Sequence, residues 1–159
     1  MAKADLFTYA HLRAAWQKRS WRERQLVVEA FCWLGLARLL VLTLPFHWLL
    51  LLLRLQRRPV QTRLGAPVAH QPVEQIRRAV QAVSGYTPWT SNCLAQALAA
   101  NRMLHRRRLP SILYIGVAKQ HNQPLTAHAW LCCGERFVTG EAGWQQFTPI
   151  TCLTSGNFD

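Results

Sequence analysis

Residues 90–141 read TSNCLAQALAANRMLHRRRLPSILYIGVAKQHNQPLTAHAWLCCGERFVTGE, and the fold turns on this stretch. Thr90, Ser91 and Asn92 are three residues of the type that cap helix N-termini. From Cys93 onward the run is rich in helix formers. It closes on Arg106-Arg107-Arg108, positive charge that complements the C-terminal end of a helix dipole. Leu109-Pro110 stops the helix. Ser111–Lys119 reads as a strand, His128–Cys133 as a second and Arg136–Glu141 as a third. A helix followed by a small antiparallel sheet predicts an α+β fold.

The two later strands are separated by Gly134-Glu135, and glycine first in a two-residue loop suits a type II′ hairpin turn. Such a turn fixes the register. Cys133 is then expected opposite Arg136, Cys132 opposite Phe137, Leu131 opposite Val138 and Trp130 opposite Thr139. Ala129 falls opposite Gly140, and His128 opposite Glu141. Directly opposed Cβ atoms lie about 4.5–5.5 Å apart, so this register predicts a carboxylate beside the histidine. A carboxylate there would hold one ring nitrogen and leave the other to act as a base.

Cys93 stands in the first turn of the predicted helix. Unpaired N–H groups and the positive dipole end favour a thiolate at that place. Cys93, His128 and Glu141 together form a thiol-nucleophile arrangement of cysteine, base and orienting acid. Asn92, Trp89 and Trp130 are the neighbouring candidates for oxyanion or substrate contacts. Each also has a structural reading, Asn92 as a helix cap and the tryptophans as packing.

Upstream, Val73, Ile76, Val80 and Val83 recur at helical spacing, so Val73–Val83 reads as a helix. Residues 59–72, rich in proline, read as a connector between a helical region over 1–58 and a domain over 73–159. Residues 1–24 look like a basic lead-in, with Ser20 and Glu23 as a capping box for the next helix. Leu26–Leu55 is very apolar, but Glu29, Arg38 and Arg54 interrupt it. Its longest uncharged run, Leu39–Leu53, contains Pro45 and His47 and is shorter than the roughly 20 residues a span needs. Two helices broken near Pro45 are expected, running to about Arg58. A buried hairpin, a membrane surface and a bound partner each remain open for them.

The chain carries 19 Lys+Arg against 7 Asp+Glu. Residues 1–108 hold a net charge of +13 and residues 109–159 a net of −1, so the basic character belongs to the first two-thirds and the last third is read separately. Nucleic acid is not expected: the basic residues interleave with apolar helix, and no helix-turn-helix or RNP pattern occurs. Five cysteines without a CxxC exclude a zinc ribbon or finger. No metal or organic cofactor is expected. The thiols read as reduced and the protein as cytoplasmic, with membrane association left open.

The run PWTSNCLAQALAANRMLHRRRLPSILYIGVA…AHAWLCCGERFVTGEAGWQQFTPI resembles the transglutaminase-like cysteine peptidases of lasso-peptide biosynthesis, often called B2 proteins. The helical stretch WRERQLVVEAFCWLGLARLLVLTLPF resembles the N-terminal region of that family. The order and spacing of these pieces carry the likeness. It implies a papain-like core over 73–159, its nucleophile helix packed on a small antiparallel sheet. It implies a leader peptidase that cuts the leader from a ribosomally made precursor peptide. Cys93 matches the nucleophile and His128 the base. The third member in the family is usually Asp; here Glu141 is the best match. The resemblance further implies a separate small leader-recognition protein and an ATP-dependent cyclase as partners. An acyl transferase using the same residues, or a basic protein binding membranes or partners, are the competing readings.

Overall fold

The first helix begins where Ser20 and Glu23 predict. The Ser20 backbone N–H donates to the Glu23 carboxylate at 2.8 Å, and the Glu23 N–H donates to Ser20 Oγ at 3.4 Å. In the computed structural model the described residues are 20–59, 69–87, 92–119 and 124–155. The lead-in over 1–19, most of the connector (60–68) and Trp89 lie outside them.

Helix α1 spans Trp21–Thr43 and α2 spans Phe46–Leu52, with Pro45 at the break as expected. Strand β1 follows at Leu55–Arg58, then α3 at His70–Ser84 and α4 at Cys93–Arg106. Strands β2 (Ile112–Ala118), β3 (Thr126–Cys133), β4 (Arg136–Thr139) and β5 (Thr148–Ser155) complete the fold. A 3-10 turn at Trp144–Gln146 precedes β5. The sheet order is β1-β5-β2-β3-β4, with every neighbour antiparallel. The fold is α+β, and α4 packs on the sheet through β3, β4 and β2.

The layers follow from the apolar stripes. Helix α4 buries Ala95, Leu98, Ala99, Met103 and Leu104 between the sheet and α3. Helix α3 contributes Val73, Ile76, Val80 and Val83 at the spacing read from the sequence. Helix α1 then covers both through Leu26, Ala30, Leu34 and Ala37, one stripe of its surface. These residues share a single core with Leu113, Leu131 and Leu153 of the sheet. Each fully buried Leu or Ile contributes roughly 1.5–3 kcal/mol. Polar links fix the layers laterally. Arg107 holds Glu29 of α1 through two bonds, at 3.2 and 2.6 Å. Buried Asn101 of α4 donates to Ser111 Oγ at 3.1 Å, just before β2.

Three expectations change. The helical reading to Arg58 fails at Leu55: β1 is an edge strand, with Leu55 inside and Gln56, Arg57 and Arg58 exposed. Charged side chains on an edge discourage pairing with another chain. The third strand ends at Thr139, before Glu141. The hairpin register also slips. Cys133 pairs with Arg136 and Cys132 with Phe137 as expected, but Leu131 pairs with Thr139 rather than Val138. Val138 is the extra residue of a bulge, and the bulge removes the direct His128–Glu141 opposition.

Helix α4 ends in a Schellman arrangement. The Leu109 N–H bonds the Leu104 carbonyl at 3.1 Å, and the Arg108 N–H bonds that of His105 at 3.0 Å. This places exposed Arg108 at φ +55°, a left-handed conformation that glycine adopts without strain. Arg108→Gly is therefore expected to stabilise the fold by up to about 1 kcal/mol. Thermal unfolding of the two proteins at one pH checks this; an unchanged or lower Tm counts against it.

Candidate active site

Cys93 is the first residue of α4, and its position depends on Asn92. The Asn92 side-chain oxygen accepts the Ala95 N–H at 3.0 Å and caps the helix. That bond commits the oxygen of Asn92 to the backbone. Cys93 itself is half-buried, with its side chain at a helix N-terminus where the dipole favours negative charge.

His128 is half-buried in β3. Strand β2 runs alongside, with Gly116 opposite His128. On one side its ring lies against Trp130 at 6.0 Å between centroids, on another against Phe147 at 4.9 Å. Trp130 is itself buried, stacked on Tyr114 at 5.6 Å, so it forms a wall behind the histidine. Its ring covers Gly116, where a Cβ would meet it at 2.8 Å.

The ring is tied to the backbone. His128 Nε2 lies 2.9 Å from the Gly140 carbonyl. A carbonyl only accepts, so Nε2 carries the proton and Nδ1 is left as the basic nitrogen of the neutral ring. Gly140 has φ +73° and follows the bulge directly. The residue that orients the imidazole was thus not among those read from the sequence. The signal for it was the glycine after a short strand.

Cys93 and His128 line one cleft of about 530 Å³ together with Gly140, Glu141 and Ala142. The remaining lining comes from Gln96, one turn along α4 from Cys93, and from Arg77 and Gln81, one turn apart on α3. Glu141 is exposed, and its carboxylate accepts from Arg77 at 3.1 Å. The structure therefore brings Cys93, His128 and Glu141 to one cleft, with Arg77 as the partner that Glu141 contacts. Trp89 lies outside the described residues. Arg77, Gln81 and Gln96 went unread because their neighbourhood is tertiary.

Two thiols of β3 are held protonated by their surroundings. Burial pushes Cys132 up to about 12, with the charges of Cys133 and Glu141 adding to it. Burial alone pushes Cys133 up to about 11, and its Sγ donates to the Pro110 carbonyl at 2.9 Å. Cys152 donates to the Arg58 and Pro59 carbonyls, each at 3.1 Å. Near neutral pH, iodoacetamide should modify Cys93 and exposed Cys32 and spare Cys132 and Cys133. Peptide mapping reads this directly, and early modification of Cys132 would contradict it. Unfolded thiols ionise near 9, so holding these two protonated stabilises the fold below that pH. The stabilisation is lost as pH rises towards 11–12, and Cys132→Ser should flatten the fall of Tm with pH in that window.

Among the described residues no three His, Cys, Asp or Glu side chains converge so as to hold a metal ion. No curated protein and no solved structure matches the chain. A family model does: the one described as the transglutaminase-like superfamily, whose members include cysteine peptidases and acyl transferases, matches residues 40–152. That match covers α4, β3 and the whole cleft, more than two thirds of the sequence, and the chain belongs to the transglutaminase-like superfamily.

Proposed function

We propose that this protein is a leader peptidase, cutting the leader from a ribosomally made lasso precursor peptide by thiol catalysis. The observation that carries the chemistry is a single cleft holding a helix-N-terminal cysteine and a histidine whose Nε2 proton is fixed by the Gly140 carbonyl. The choice of substrate rests on the resemblance of residues 75–150 to the lasso B2 proteins.

In this reading His128 Nδ1 takes the thiol proton of Cys93. The sulfur attacks the carbonyl carbon of the scissile peptide bond, and the carbonyl oxygen becomes an oxyanion. The backbone N–H of Cys93, which opens α4 and has no carbonyl partner within the helix, is the donor to that charge. The imidazolium then protonates the leaving amine, which departs as the core peptide. Water, deprotonated by His128, attacks the thioester and releases the leader as a carboxylate with Cys93 again a thiol. Glu141 is the acidic member of the group, placed at the cleft to favour the imidazolium. A separate leader-recognition protein presents the precursor, and an ATP-dependent cyclase takes the freed core.

The test is mass spectrometry of a candidate precursor incubated with this protein and the leader-recognition protein. A single cut at the leader–core junction, with one water added, is the expected result. Adding excess primary amine separates the acyl-transfer reading. An amide of the leader in place of its acid would make the protein a transferase and sink the peptidase reading.

A further inference from the structure

Helix α1 is apolar on both faces, and among the described residues only one face packs against other elements. Leu26, Ala30, Leu34 and Ala37 form the covered stripe against α3 and α4. At 100° per residue, the opposite side of the helix carries Trp21, Val28, Leu39 and Leu42, and all of these are exposed. Helix α2 continues the pattern, leaving Trp48, Leu51 and Leu52 bare. Leu39 is 57% exposed, Leu51 67% and Trp21 72%. Soluble monomers rarely expose apolar surface on this scale, and where they do it marks a contact. A helix apolar all round is ordinarily covered all round.

The charge around this surface is predominantly positive. Residues 20–58 contain six arginines and two glutamates. Both glutamates are engaged, Glu23 in the helix cap and Glu29 with Arg106 and Arg107. At the N-terminal end of α1 a cavity of about 840 Å³ opens beside Trp21 and Val28. Arg22 and Arg24 of α1, Arg106 of α4 and Arg107 just after it also line the cavity, with Glu29 among them. At the other end Arg54, Arg57 and Arg58 are exposed directly after α2. Basic, apolar and tryptophan side chains in this arrangement match a surface that is anionic outside and hydrocarbon beneath.

We propose that the outer face of α1, continued by α2, docks this protein on an anionic lipid surface. By length and composition α1 could cross a membrane. Its inner stripe is part of the protein core, however, so the helix lies along the surface with only its outer side in lipid. A second copy would bring the same arginines against each other. Residues 1–19, with four Lys/Arg and one Asp, carry net positive charge as well. The catalytic cleft is lined from α3, α4, β3 and the segment after β4, so docking through α1 leaves it open to water. The proposal is independent of the reaction assigned to that cleft.

Flotation of the full chain with vesicles tests it, comparing phosphatidylcholine alone with phosphatidylcholine mixed with phosphatidylglycerol. Wild type should float with the mixed vesicles and at least about tenfold less with the neutral ones. Arg22→Gln with Arg24→Gln should weaken that binding about tenfold and reduce its salt dependence. Leu39→Glu with Leu51→Glu should abolish it, with circular dichroism verifying the fold. A readout on folded wild type is quenching of tryptophan emission by brominated acyl chains, smaller in Trp48→Phe. Absence of flotation with the mixed vesicles overturns the proposal. So does equal flotation of the folded Leu39→Glu/Leu51→Glu protein. A wild-type dimer in lipid-free buffer that this double change splits would assign the face to a second copy instead.

Discussion

Cys93→Ala should leave a folded protein with no turnover above background. The position is the first of α4, where alanine is the best helix former, and the cap comes from Asn92 rather than from the thiol. Cys93 is only half-buried at the rim of the core, so losing its sulfur should cost no more than about 1 kcal/mol. Activity has no such margin. No other cysteine is placed to replace it. Cys132 and Cys133 are held as thiols by burial, Cys152 is bound to carbonyls at the β1–β5 edge, and Cys32 lies on α1. Cys93→Ser should fail almost as completely, since the hydroxyl is a far weaker nucleophile beside the same base. His128→Ala should be about 10²–10⁴-fold slower, with partial recovery on adding imidazole. Single-turnover cleavage followed by mass spectrometry measures all three. Wild-type rates in Cys93→Ala would remove the thiol mechanism altogether.

The parts of this fold that were legible in the sequence are those set by local chemistry. The start of α4 was readable because Asn92 is a capping residue before a run of helix formers. The hairpin turn was readable because Gly134 stands first in a two-residue loop, and it does take a positive φ, of 60°. Pro45 marked the break between α1 and α2. The parts that were not legible depend on distant residues. Strand β5, TPITCLTS, has no apolar alternation and carries Pro149, which argues against an interior strand. It is interior nonetheless, between β1 and β2, and Pro149 sits where its register with β2 shifts. Strand β1 has one buried residue in four and pairs only because β5 is there. The bulge at Val138 is the costliest omission. Gly140 marks irregular backbone after the strand, but nothing in FVTGE places an extra residue at Val138, which moves Glu141 out of register and puts the Gly140 carbonyl on the histidine. The candidate pair was thus readable and its orienting group was not.

Gly140→Ala follows from that omission and should be the most damaging change outside the Cys–His pair. Gly140 combines a φ of +73° with almost no room. A Cβ there would run into the Ala129 carbonyl and stand 2.8 Å from Trp130 Cα and Cβ. These are backbone and near-backbone atoms of β3, so no side-chain rotation relieves the clash. The strand end must move, at a cost of about 2–4 kcal/mol from strain and lost packing together. The same movement displaces the carbonyl that holds His128 Nε2. The ring is then free to turn or to carry its proton on Nδ1, and only the opposite tautomer can accept from Cys93. The fraction that stays folded should therefore lose about 10²-fold or more in rate, counted per alkylatable Cys93. Glu141→Gln provides the contrast. It breaks an exposed pair with Arg77, worth about 1 kcal/mol or less, and leaves the Gly140 carbonyl in place. Its loss of rate should be about tenfold, from removing one negative charge near the imidazolium. If Glu141→Gln instead fell as far as Gly140→Ala while keeping its Tm, the carboxylate rather than the carbonyl would be orienting His128. The contact with Arg77 would then be a resting arrangement that substrate displaces.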